Sequence, residues 1–178
     1  MKTKKQLLAG LLPFALIVAG LYGCNEQKSE TKEASAATSV NYPYTVEHPD
    51  NWEVGSTSNT MIALKSLKAW EEGKMDESLK YFGDSVRVQF DGLDKNMTRD
   101  SLKVFLTNGW NNYKTVKIKM GDFESVISKD KSEEWVTLWY TQSWETKAGV
   151  KDSVSTINDL QIKDEKIVRL SEHTRKLH

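Results

Sequence analysis

The sequence predicts an α+β domain with three N-terminal helices packed on a strongly bent antiparallel sheet. Three observations carry that expectation. Apart from one alternating run at Val86, Val88 and Phe90, apolar residues between 59 and 113 recur every three or four positions. From Val116 onward they recur every two, so helical periodicity gives way to strand periodicity. Turn signals at Asp91-Gly92, Lys129-Asp130-Lys131, Lys147-Ala148-Gly149 and Lys163–Lys166 separate the strand runs. Finally, Glu133–Trp144 gathers more large side chains than any other stretch and contains neither Gly nor Pro. At period two it splits into Trp135, Thr137, Trp139, Thr141 and Ser143 on one face, and Val136, Leu138, Tyr140, Gln142 and Trp144 on the other. Both rows open apolar, which places this strand centrally with packing partners on both sides.

The chain begins with the anatomy of a secretory signal. Lys2, Lys4 and Lys5 precede the apolar run Leu7–Tyr22, which Pro13 interrupts. That run is shorter than the about 20 apolar residues a spanning helix needs, so residues 1–23 are expected to be cleaved. It ends at Leu21-Tyr22-Gly23-Cys24, on the only cysteine. This junction resembles the lipobox of bacterial lipoproteins, departing from it at Tyr22, where a smaller residue is usual. The resemblance implies lipid attachment at Cys24 and a domain anchored to a membrane of the bacterial cell envelope, outside the cytoplasm. The alternative is a plain secretory signal that happens to end beside a cysteine. Losing residues 1–23 removes three lysines and no acid, which turns an even charge balance into a net charge of about −3. A mixed, mildly acidic surface has no electrostatic footprint for nucleic acid. With Cys24 acylated, no thiol remains for a disulfide or a thiolate metal site, so packing must hold the core.

Residues 24–41 are rich in Ser, Thr, Lys and Glu and read as a flexible tether, with a reach on the order of 20–25 Å. Residues 42–58 read as an irregular aromatic arm that packs by Tyr42, Tyr44, Val46 and Trp52, punctuated by Pro43, Pro49 and Gly55. The domain proper occupies residues 59–178. Ser58 or Asn59 can cap a first helix carrying Ala63, Leu64, Leu67 and Trp70 on one stripe, which Gly73 ends. A short second helix begins at Asp76, turns Leu79 and Phe82 inward, and stops at Gly83. After the strand Val86–Phe90, Thr98 caps a third helix with Leu102, Phe105, Leu106, Trp110 and Tyr113 at helical spacing. Val116, Ile118 and Met120 open the sheet, and the loss of phase at Gly121 predicts a bulge or bend. Two more strands follow Glu133–Trp144: one with Val154, Thr156, Asn158, Leu160 and Ile162 alternating, and a last one at Ile167–Thr174.

Four landmarks then combine: Ala69-Trp70-Glu71-Glu72-Gly73-Lys74-Met75-Asp76, Tyr81-Phe82-Gly83-Asp84-Ser85-Val86, Phe90-Asp91-Gly92 and Asp164-Glu165-Lys166-Ile167-Val168. In their order and spacing they resemble the NTF2-like, or SnoaL-like, superfamily over residues 59–175. They depart from it at Glu165, where Gly is usual, and at Gly83, where another small residue is commoner. The arm Asn51-Trp52-Glu53-Val54-Gly55 is similar to that of envelope-anchored members. The resemblance implies a conical cavity between sheet and helices. Family members with an Asp or Asp/His set in that cavity are isomerases, dehydratases, cyclases or epoxide hydrolases, while others only bind ligands or assemble. It also implies dimerisation through the convex outer face of the sheet.

Candidate site residues are few. Asp84 sits at the helix-to-strand junction where some family enzymes place an acid, though such an Asp also serves as a turn or cap residue. His173 has the parity of Ile167 on the last strand, and a surface His is the plain alternative. Asn158 shares a face with Val154, Leu160 and Ile162, as a ligand contact or as a hydrogen-bonded core amide. Trp70, Phe90, Trp110, Trp139 and Tyr140 are the aromatic candidates for the pocket wall, or simply fill it. Glu47, His48 and Asp50 cluster around Pro49 without a spaced second group, so no metal site is expected, and no cofactor motif appears. Asp84-Ser85-Val86, Asp100-Ser101-Leu102 and Asp152-Ser153-Val154 match a short Asp-Ser-apolar pattern that some envelope O-glycosylation systems use. The expected function is a membrane-anchored, non-catalytic lipoprotein that binds a small apolar or amphipathic ligand or a protein partner. The alternative is an isomerase, dehydratase or cyclase using a pocket acid/base.

Overall fold

The computed structural model describes residues 42–46 and 51–177. The signal segment, Cys24, the tether and the Glu47, His48 and Asp50 cluster lie outside the described residues. The chain divides into two units between Tyr44 and Thr45. Of the first, Tyr42–Tyr44 is an exposed bend. The second unit carries all the described helices and strands.

Its elements are β1 (Trp52–Val54), α1 (Thr57–Glu71), α2 (Met75–Leu79), β2 (Phe82–Phe90), β3 (Leu93–Thr98), α3 (Arg99–Trp110), β4 (Tyr113–Ser128), β5 (Glu134–Thr146), β6 (Lys151–Lys163) and β7 (Lys166–Lys176). All seven strands form one sheet in the order β1-β4-β5-β6-β7-β2-β3. β5 is an interior strand between β4 and β6, with one row buried and the other only partly covered. The sheet is mixed, which corrects the expectation of an antiparallel one: β2 lies parallel to β7, with Val88 opposite Leu170. Hairpins make their strands antiparallel, but β2 and β7 meet across most of the domain's sequence, where no hairpin fixes direction.

The helix starts follow from local chemistry. Ser56 caps α1 by accepting from the Ser58 and Asn59 amides, two to three residues before the expected cap, because Ser56-Thr57-Ser58-Asn59 offers four suitable residues in a row. Thr98 caps α3, its hydroxyl accepting from the Ser101 amide at 3.2 Å. Phe82 and Gly83 open β2 instead of closing α2. β3 and β1 were not visible in the alternation: β3 carries only Leu93 and Met97 as apolar residues, and Trp52, in β1, lies exposed on a three-residue edge strand against Ser128.

Two of the sheet's register shifts bear on which side chains face inward. Gly121 is skipped in the β4–β5 register between Met120 and Asp122, and a Cβ there would lie 3.1 Å from the Trp139 carbonyl oxygen. Across β6–β7, Gln161 pairs with Arg169 and Ile162 with Ile167, so Val168 is the extra residue. The core lies between the helices and the inner face of the sheet, where Leu102, Val86, Val88, Val136, Leu138 and Ile167 are fully buried.

Candidate functional site

α3 was expected to bury an apolar stripe, yet only Leu102 of that helix is buried. Phe105, Leu106 and Trp110 line an open cavity of about 510 Å³ beneath it, and Phe105 is 42% exposed. Phe105 stacks on Phe90 with centroids 5.7 Å apart, and Tyr113 meets Trp144 at 5.9 Å. Trp70 closes another wall from α1. Gly73, just past α1 with φ +72°, turns the chain so tightly that a Cβ would come within 2.8 Å of the Trp110 ring. The volume falls in the roughly 300–1,000 Å³ range of small-molecule sites.

Of the aromatic candidates, Trp70, Phe90, Trp110 and Tyr140 line this cavity, and Asn158 joins them. Trp139 does not. Val136, Leu138 and Tyr140 of β5 are the buried row, and Trp139, between Leu138 and Tyr140, belongs to the opposite row. Trp135 shares that outer face, with the Arg169 guanidinium 5.4 Å from its ring.

Both ionisable candidates lie away from the cavity. Asp84 is 93% exposed at its side chain and pairs with Arg99 at 2.9 Å. His173 lines a shallow outer groove with Trp52, Trp135 and Arg169, its ring nitrogen 3.4 Å from the Ser171 hydroxyl. The bulge at Val168 explains the error in parity. It moves the inward phase of β7 from Ile167 to Leu170, so the inward residue near the C-terminal end of the strand is Glu172, next to His173.

Glu172 is the residue that sequence reasoning missed. Its signal was two-residue spacing from Leu170, which becomes readable only once the bulge is known. It lies directly opposite Asn158 in the β6–β7 register. The Asn158 amide lies 3.0 Å from the Tyr140 hydroxyl, and the orientation that satisfies both of its ends has its oxygen accept from that hydroxyl and its nitrogen donate to Glu172 Oε2 at 3.2 Å and to the Ile157 carbonyl at 3.3 Å. Burial pushes the Glu172 carboxyl up to about 7, and no cation among the described residues offsets it. Burial, aided by the charge of Glu172, pushes the Tyr140 hydroxyl well above its usual range. The same two causes raise Tyr113, more weakly. Near neutral pH the phenols therefore stay protonated while Glu172 exchanges between acid and carboxylate. Chemically, the group can hold a polar ligand atom as donor or acceptor, or shuttle a proton.

Among the described residues no group of three or more His, Cys, Asp or Glu could hold a metal, and no helix is long and apolar enough to cross a membrane. No protein-family model and no curated protein matches the chain. Solved structures do. AusH from Aspergillus nidulans is similar with a TM-score of 0.57 at 14% identity, covering 71% of this chain and 89% of that one. An epoxide hydrolase of the LEH-like kind from M. tuberculosis is similar at 0.55 and 12% identity, covering 67% and 84%. An NTF2-like protein of unknown function from an Exiguobacterium species is similar at 0.53 and 14% identity, covering 65% and 99%. Together with the helix-lined cavity on a seven-stranded sheet, these likenesses identify the domain as an NTF2-like fold.

Proposed function

We propose that the domain is a binding module for a small amphipathic molecule, held with its apolar body among the aromatic walls and its polar end at Glu172, Asn158 and Tyr140. One observation carries this reading: α3 turns its apolar stripe onto an open cavity of about 510 Å³ instead of burying it. Large apolar side chains left facing open space mark a surface that something else covers. The test is a crystal structure of the protein purified from its native source. Density in the cavity with a polar atom within hydrogen-bond reach of Glu172 or Tyr140 is expected. A cavity filled by rotated Trp70 and Trp110 would refute the reading.

The module is tethered to an envelope membrane through lipid on Cys24, and its outer sheet face, with Trp135 and Trp139, pairs two copies. Substituting Cys24 by Ala is expected to abolish membrane association. Labelling with a clickable palmitate that survives the substitution would refute the anchor.

A second reading keeps its own support. A carboxyl whose pKa lies near neutrality beside a phenol in an aromatic cavity suits general acid/base chemistry. Some neighbours of this fold, the epoxide hydrolase included, are enzymes. On this reading Glu172 replaces Asp84 and His173 as proton carrier. Deuterium exchange into the α-position of an added ketone, lost in Glu172→Gln, would favour it; exchange equal to buffer would exclude it for such substrates.

A further inference from the structure

We propose that the cavity selects organic ammonium ions: ligands with an apolar, preferably aromatic, body and one protonated amine that pairs with Glu172. This rests on the reading of the cavity as a ligand site and adds the charge of the ligand. Three observations converge on it.

The first is the charge inventory. Among the described residues, Glu172 is the only carboxylic acid in the cavity wall, which holds no Lys, Arg or His; the phenols of Tyr113 and Tyr140 are its other titratable groups. An anionic ligand would therefore meet an acid with no cation to oppose it, while a cationic ligand supplies the missing charge. The second is the composition of the walls. Trp70, Phe90, Phe105, Trp110, Tyr113 and Tyr140 surround the space with π systems, whose negative faces attract cations. The third is unused hydrogen-bonding capacity. The Asn158 amide nitrogen donates to Oε2 of Glu172, and Oε1 accepts from no group among the described residues. A primary ammonium has three donors and can fill that acceptor while it pairs with the charge.

The chemistry also fixes a pH dependence. Tyr113 and Tyr140 are raised from the ordinary phenol range, so in the neutral window Glu172 alone titrates among the groups facing the site. Ammonium binding requires the carboxylate. Affinity should therefore strengthen as pH rises through about 7, by about tenfold between about pH 6 and about pH 8 for an amine that stays protonated.

The experiment is calorimetric titration of the full-length protein with phenethylamine, phenethyl alcohol and phenylacetate, three probes of one shape and different charge. Phenethylamine is expected to bind at least tenfold more tightly than the alcohol, with phenylacetate the weakest. Glu172→Gln should bring amine and alcohol together, and circular dichroism confirms that the variant is folded. If the variant fails to fold, the pH series on the unsubstituted protein decides, and an amine affinity that is flat across neutrality overturns the proposal. Alcohol binding equal to amine binding overturns the ammonium inference while leaving the cavity reading intact. No binding by any of the three overturns both.

Discussion

Glu172 is held in the fold at a cost that can be measured. Its folded-state pKa of about 7 lies above the ordinary 4.5, so the unfolded chain ionises it more readily. The cost is absent below about pH 4.5, grows as pH rises, and levels off above about 7. A shift of that size corresponds to at most about 3.4 kcal/mol, less in practice because part of the residue stays open to solvent. Glu172→Gln should therefore raise stability at pH 8 by several times more than at pH 5, as read by urea denaturation at both. At this scale the sequence was partly legible. Asn158 announced itself by sharing the parity of Val154, Leu160 and Ile162 within a long, regular strand. His173 and Glu172 exchanged roles because one extra residue, Val168, inverts the alternation, and nothing in Ile167-Val168-Arg169-Leu170 marks where the extra residue sits. Trp139 was misplaced for another reason: β5 is apolar on both rows, so composition alone cannot tell inside from outside.

Among the elements, the α1–α2 corner and α3 shape the cavity together. Gly73 adopts φ +72°, and the space a Cβ would occupy is taken by the Trp110 ring. Gly73→Ala should cost about 1–3 kcal/mol, combining backbone strain with displacement of Trp110. It should also weaken cavity ligands, because Trp110 is part of the wall. Thermal unfolding and the same calorimetric titration check both effects; a variant with unchanged stability would contradict the packing described. Element types were readable wherever periodicity was long, as in α1, α3 and β4 to β7. The short edge strands were not, since Leu93–Thr98 and Trp52–Val54 are held by pairing with neighbours more than by their own side chains. The apolar stripe of α3 was read correctly as a stripe. Its destination, an open cavity and not a packed core, depends on how far the helix stands from the sheet, which periodicity does not encode.

For the whole molecule, the sheet presents two faces with different work. The inner face carries the cavity, and the outer face carries Trp135 and Trp139 beside polar Thr137, Arg169 and His173. If two copies pair there, Trp135→Ser with Trp139→Ser should yield a monomer in analytical ultracentrifugation with an unchanged far-ultraviolet circular dichroism spectrum. A parent protein already monomeric at micromolar concentration would exclude that interface. The assembled fold holds an ionisable carboxyl in an open aromatic cavity, with no cation among the described wall residues. The most direct test of that arrangement is a carbon-detected NMR titration of Glu172 in the full-length protein, with and without phenethylamine. A midpoint near pH 7 is expected in the free protein, falling toward the ordinary carboxylate value when the amine is bound. A midpoint near 4.5 that the amine leaves unmoved would contradict it.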